Sequence, residues 1–228
     1  MTDTATGTAT ATRPIRLVVA DDHPIVRGGL RRMVELEPDL EIAGEADTAD
    51  ALFAVLDAAA AAGAAPDVLL LDVGMPGPGV LEVLRRLGQA HPALRTLVLS
   101  VYPEEQYGLR ALRAGAAGYL TKDQSPELLA RAVRQVAAGH RFLSPALADR
   151  LVEGLERGYA AARHELLSER EFAVLVALGE GRGVPELAAS LGLSPKTVAT
   201  YRARLLEKLG LRTNADLVRY VREHGLSA

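Results

Sequence analysis

Asp21 and Asp22 follow the apolar run IRLVVA, Asp72 closes VLLLD, Ser100 closes RTLVLS and Lys122 follows GYLT. Taken singly, an aspartate at such a place is a turn or cap residue. Taken in this order they can do chemistry. Three carboxylates brought together repel one another unless a cation sits among them, and hard oxygen donors fit Mg2+, which keeps waters and binds phosphate oxygens. Asp72 could then attack a phosphoryl group while the metal and Lys122 neutralise its oxygens, with the Ser100 hydroxyl donating to one of them. His23 lies beside the first pair and is read as a loop residue with no catalytic role.

The elements that must bring these residues together are legible as a pattern. From Ile15 to about Leu143, short apolar runs (IRLVVA, LEIAGEA, DVLLLDV, RTLVLSV, GYLT) alternate with helical stretches of about ten residues. Strands alternating with helices predict a parallel sheet, and runs apolar throughout predict strands covered on both faces. The expected domain is an α/β, five-stranded, doubly wound, flavodoxin-like sheet. Loops after its strands gather at the carboxyl edge, where ligands bind. With strand one beside strand three, the acids converge.

Strand signals stop after that. Residues 144–163 read as a partly helical linker, and 164–228 as an all-α unit of four helices. Ser168 with Glu171 makes a capping-box signature, Pro185 to Leu191 is a short helix closed by Gly192, and Ser194 caps a helix begun by Pro195 and ended by Gly210. Thr213 with Asp216 opens a last helix running to His224. On the Ser194–Leu209 helix, Val198, Leu205 and Leu209 share one stripe at 100° per residue. Lys196, Ala199, Thr200, Ala203, Arg204 and Glu207 lie opposite. This segment carries Lys196, Arg202, Arg204 and Lys208 against Glu207 alone, although the whole chain has a net charge of −3. A face small in its middle and basic at its margins suits close approach to base edges, with phosphates at the rim.

The segments ADDHPIVRGGL, LLLDVGMPGPGVLEVL and LVLSVYPEEQYGLRALRAGAAGYLTKD closely resemble receiver (CheY-like) domains of NarL/FixJ-type response regulators, over residues 14–143. The resemblance implies that Asp72 accepts phosphate from a sensor histidine kinase. It also implies that Asp22 and Asp72 ligate Mg2+ directly with Asp21 acting through water, that Ser100 and Tyr119 form a switch pair, and that Lys122 pairs with the phosphoryl group. Three positions depart from the usual receiver pattern. Gly79 stands one place early with Val80 at the customary glycine, position 74 is glycine, and Val101 replaces a smaller residue where it narrows access to the site. Residues 164–228 resemble the LuxR-type helix-turn-helix. That likeness implies a recognition helix at Ser194–Leu209 in the major groove of double-stranded DNA and a last helix that pairs two output domains. The base-reading positions map to Ala199, Thr200 and Ala203, with Lys196, Tyr201, Arg202 and Arg204 as polar contacts, mostly to phosphate. GVPEL departs from the polar or basic residues usual there, which removes a phosphate contact and makes binding depend on a homodimer.

Composition bounds the rest. The absence of cysteine excludes disulfides and thiolate metal sites and suits the cytoplasm. Residues 1–13, MTDTATGTATATR, are low-complexity, lack the apolar core of a signal peptide and are expected to be a disordered tail. The longest apolar stretches, such as Ala58 to Ala65, are too short to cross a bilayer. The expected function is a transcriptional regulator switched by phosphorylation, and not an enzyme. A phosphohydrolase using an aspartyl phosphate would carry D-x-D at its nucleophile, and position 74 denies it the general acid. The alternative is a DNA-binding regulator whose receiver works without phosphate.

Overall fold

The computed structural model describes residues 13–156, 164 and 167–226. The expected tail and residues 157–163 of the expected linker therefore fall outside the described residues, apart from Arg13, whose guanidinium donates to Asp67 at 2.6 and 2.8 Å.

Strands β1 (Ile15–Ala20), β2 (Leu40–Ala46), β3 (Val68–Asp72), β4 (Arg95–Ser100) and β5 (Gly118–Thr121) form one parallel sheet in the order β2-β1-β3-β4-β5. This is the doubly wound order with its switch point between β1 and β3. The strands are apolar on both sides because both faces are covered. Leu17, Val19, Leu70 and Leu97 face a core shared with α1 (Pro24–Glu35) and α5 (Pro126–Ala137). Val18, Leu69, Leu71 and Val98 face the opposite core, with α2 (Ala49–Ala61), α3 (Val80–Ala90) and α4 (Glu104–Arg113). Caps written in the sequence set the helix starts: Thr48 accepts from the Ala51 amide and Ser125 from that of Leu128.

The segment expected as a linker begins with α6 (Pro145–Glu156), whose Leu147 is buried against α4. A Cβ on Gly108 of α4 would lie 3.0 Å from Leu147, so the two helices approach closely only because residue 108 has no side chain. The last unit comprises α7 (Glu169–Gly179), α8 (Val184–Ser190), α9 (Pro195–Leu209) and α10 (Asn214–Glu223). Both predicted capping boxes form, Ser168 with Glu171 and Thr213 with Asp216. Gly210 ends α9 in the left-handed region at φ 69°, where a side chain would clash with the backbone.

The two units share an apolar seam. Tyr107 on α4 meets Phe172 on α7 edge to face, with centroids 5.2 Å apart. Arg110 lies 4.4 Å over the Phe172 ring and donates to the Leu167 carbonyl. His164 stands at this seam, its ring centroid 5.8 Å from that of Tyr220 and 5.2 Å from that of His224, with Nδ1 3.1 Å from the Tyr220 hydroxyl. Burial, followed by the charges of His224, Arg110 and Arg113, pushes its pKa down to about 4. The folded chain thus holds His164 neutral, while the unfolded chain protonates it near its ordinary value of about 6.5. Its contribution to stability is complete above that value and is lost as pH falls toward 4. Urea midpoints of the full chain are expected to drop across this window and to drop less in His164→Phe; parallel curves would refute the assignment.

Candidate functional site

The carboxyl ends of β1, β3, β4 and β5 open on one side, and the predicted residues meet there. One ligand atom each from Asp21, Asp22, His23 and Asp72 lie within 4.8 Å of one another. The Lys122 ammonium sits 2.6 Å from Asp21 Oδ2 and 2.8 Å from Asp72 Oδ1. Asp72 is only 5% exposed. Burial pushes its carboxyl above the ordinary range; Lys122 opposes this and Asp21 adds to it. Lys122 is itself desolvated, yet hydrogen bonds from its ammonium to Asp21 and Asp72 hold it above its usual value. One ammonium is thus shared by two buried acids, so the three carboxylates carry more negative charge than Lys122 offsets.

Asp72 Oδ2 is buried without a hydrogen-bond partner among the described residues, and Asp22 Oδ1, also buried, has only the His23 ring near it, at 2.7 Å. Orphaned buried acceptors are costly. These buried acceptors belong to an oxygen-rich donor set whose chemistry fits Mg2+.

Ser100 and Tyr119 are buried and linked through one residue. The Tyr102 amide donates to Ser100 Oγ at 3.0 Å, and the Tyr119 hydroxyl donates to the Tyr102 carbonyl at 2.9 Å. Tyr102 stacks on Tyr107, with centroids 4.8 Å apart. A shift of the Ser100 loop is therefore felt at the ring that touches Phe172.

The departures have physical reasons. Val80 opens α3, so Gly79 is its cap residue. A Cβ at Gly74 would come 3.2 Å from Asp72 Oδ2, so glycine gives the acceptor room. Val101 was expected to narrow the site, and its side chain is 75% exposed on the cavity rim.

On α9, Val198, Leu205 and Leu209 are buried, while Lys196, Ala199, Thr200, Ala203 and Arg204 are exposed on one outward face. Tyr201 and Arg202 are half-buried. Tyr201 packs on the core, and Arg202 donates to Asn214 Oδ1 at 2.6 Å. Thr200 donates back to the Lys196 carbonyl at 3.0 Å. The helix is braced from behind by Lys208, 2.7 Å from Glu171 on α7.

Residues 17–134 match the model of the response regulator receiver domain, and residues 165–221 that of the bacterial regulatory proteins of the luxR family. The chain is 36% identical to the response regulator GacA of Pseudomonas aeruginosa, over 93% of this chain and 97% of that one. It is 33% identical to the response regulator UvrY of Escherichia coli, over 93% and 95%. The chain belongs to the response regulators. Among solved structures it resembles RcsB from Salmonella enterica serovar Typhimurium, bound to the promoter rprA in the presence of phosphomimetic BeF3−. There the TM-score is 0.55 and the identity 26%, over 92% of this chain and 99% of that one.

Two features of this response regulator escaped sequence reading. The His23 ring, read as a loop bystander, places Nδ1 2.7 Å from Asp22 Oδ1 and 3.3 Å from Asp21 Oδ1; its position directly after the acid pair was the available signal. Arg170 and Ser190, from the helix-turn-helix unit, line the same cavity as Asp72. No local pattern announces them.

Proposed function

We propose that this response regulator accepts a phosphoryl group on Asp72 from a sensor histidine kinase in the cytoplasm, and that phosphorylation favours a homodimer that binds double-stranded DNA through α9. The observation that carries the reading is the Asp72 carboxylate, held by Lys122 with its second oxygen unsatisfied toward an open cavity of about 370 Å³. In the transfer, an Asp72 oxygen bonds to phosphorus as the bond between phosphorus and the kinase histidine nitrogen breaks. Asp22 and Asp72 would hold Mg2+ directly, with Asp21 acting through water. When bound, Mg2+ neutralises charge on the transferring oxygens. Lys122 stays paired with the phosphoryl oxygens and the Ser100 hydroxyl turns to donate to one of them. Tyr119 follows, since its hydroxyl is tied to Tyr102. This biases an existing equilibrium between two arrangements of the α4–β5 face. That the RcsB structure holds a promoter and BeF3− supports the same reading here.

Beryllofluoride with Mg2+ is expected to tighten binding to a duplex selected by the wild-type chain from a random pool, by about tenfold, a usual coupling between sites. Fluorescence anisotropy reads it, and unchanged affinity with beryllofluoride shown to be bound would remove the phosphate switch. On the DNA side, Lys196→Ala and Arg204→Ala should each weaken binding and lower the salt slope by about one, as lost phosphate contacts do. A slope equal to wild type would place both side chains off the DNA. In α9 the exposed alanines at 199 and 203 and the thymine-methyl contacts open to them supply the base reading, together with Thr200. The described helices include none long and apolar enough to cross a membrane.

A further inference from the structure

The cavity at Asp72 is lined by residues of both units. Receiver residues Asp22, Asp72, Ser100 and Lys122 line one wall, and Arg170 of α7 and Ser190 of α8 line the other. Arg170 is half-buried, and among the described residues it makes no hydrogen bond or ion pair. The two residues that follow it are engaged: Glu171 with Lys208 and Ser168, Phe172 with Tyr107 and Arg110. An arginine held by such neighbours yet without an anion among the described residues, on the wall of a cavity lined by the carboxylates of Asp22 and Asp72 and the ammonium of Lys122, has an evident electrostatic partner across the gap. Phosphorylation adds further negative charge there and presents oxygens whose spacing suits the guanidinium fork.

We propose that Arg170 reads the phosphoryl group on Asp72, so that the output unit binds the modified receiver directly instead of being merely released by it. The inference rests on Asp72 being the acceptor. Docking of this kind does not compete with DNA, because the outward residues Lys196, Ala199, Thr200, Ala203 and Arg204 are exposed while α7 covers α4. The phosphoryl group then fixes α7 and α8 over α4 with α9 facing outward. By reciprocity, whatever holds the output unit in place also strengthens retention of the phosphoryl group.

The test is titration of the full chain with beryllofluoride in the presence of Mg2+, by calorimetry, for wild type, Arg170→Ala, Arg170→Lys and Arg170→Glu. One partly exposed charge-assisted contact predicts affinity about tenfold weaker in Arg170→Ala, weaker again in Arg170→Glu and partly restored in Arg170→Lys. Mg2+ binding without beryllofluoride is expected not to weaken in any variant, which a general loosening of the fold would not spare. In wild type beryllofluoride should also raise the unfolding temperature of the output unit, and in Arg170→Ala it should not. Wild-type beryllofluoride affinity in both Arg170→Ala and Arg170→Glu, in a chain that acetyl phosphate still phosphorylates, would overturn the inference and leave the acceptor intact. A wild-type chain that takes neither phosphate nor beryllofluoride would overturn both.

Discussion

Asp72→Asn is expected to abolish phosphoryl uptake, seen as complete loss of the retarded band when the chain is incubated with acetyl phosphate and Mg2+ and run on a phosphate-retarding gel. The side chain is buried at the end of β3, one oxygen against Lys122 and the other unpartnered. An amide is no nucleophile and adds no charge for a cation to neutralise, so the loss should be on the order of 10³-fold or more, the scale on which removal of a nucleophile is felt. Asp21→Asn and Asp22→Asn leave the nucleophile in place and should keep a slower reaction at higher Mg2+. Acidity has a defined sign as well. Burial holds the Asp72 carboxyl above its ordinary range, and only the ionised form attacks. Uptake should therefore fall as pH drops toward that raised value, and more Mg2+ should recover it. A band that survives Asp72→Asn would move the modification to another acid and dismantle the proposed site.

Glu171→Ala is expected to lower the stability of the output unit by about 2–4 kcal/mol. Its carboxylate accepts from the Ser168 amide at 2.8 Å and from Lys208 at 2.7 Å, while its own amide donates to Ser168 Oγ. The carboxylate accepts two charge-assisted hydrogen bonds, from the Ser168 amide and from Lys208, and loss of such bonds costs about 1.5–3 kcal/mol each, less where the partner is exposed. At roughly 0.05–0.15 kcal/mol per residue, a unit of this size has only a few kcal/mol to lose. Because Glu171 joins α7 to α9, α9 loses its brace together with the side-chain half of the capping box, while the residue-171 amide still donates to Ser168 Oγ. Burial alone would raise this carboxyl, but hydrogen bonds from Lys208 and Ser168 outweigh it and hold the group below its usual range. The stabilisation is present above the unfolded value, about 4.3, and disappears as pH falls through the lower folded one. Far-UV circular dichroism in urea should show an early transition for the α7–α10 unit in Glu171→Ala and an intermediate one in Glu171→Gln. A midpoint matching wild type would show that the contact stabilises nothing.

If Arg170 acts as inferred, these two predictions are coupled through neighbouring residues. Arg170 faces the acceptor cavity, Glu171 anchors α9, and Phe172 rests on Tyr107. Three consecutive side chains at the start of α7 thus meet the Asp72 cavity, α9 and α4 of the receiver. Damage at Glu171 should then weaken beryllofluoride binding indirectly, through the position of Arg170.

Much of the molecule could be read directly from the order of residues, because the contacts involved span few positions. Largely apolar runs of four to seven residues marked the strands, Ser168, Ser194 and Thr213 marked helix starts through bonds three residues away, and Gly210 marked a stop through its own φ. The buried stripe of Val198, Leu205 and Leu209 follows from the period of the helix alone. The convergence of Asp21, Asp22, Asp72, Ser100 and Lys122 was also legible, since a parallel sheet sends every strand end to the same edge.

Only tertiary structure decided the rest. The engagement of Arg202 with Asn214, the His23 ring among the acids and the burial of His164 beside His224 depend on side-chain directions that no period encodes. The meeting of Arg170 with the Asp72 cavity depends on how two separately folded surfaces fit. Such a fit is settled by the shapes of Tyr107 and Phe172 and by charge acting through space, between residues far apart in the chain, and so leaves no mark on either local sequence.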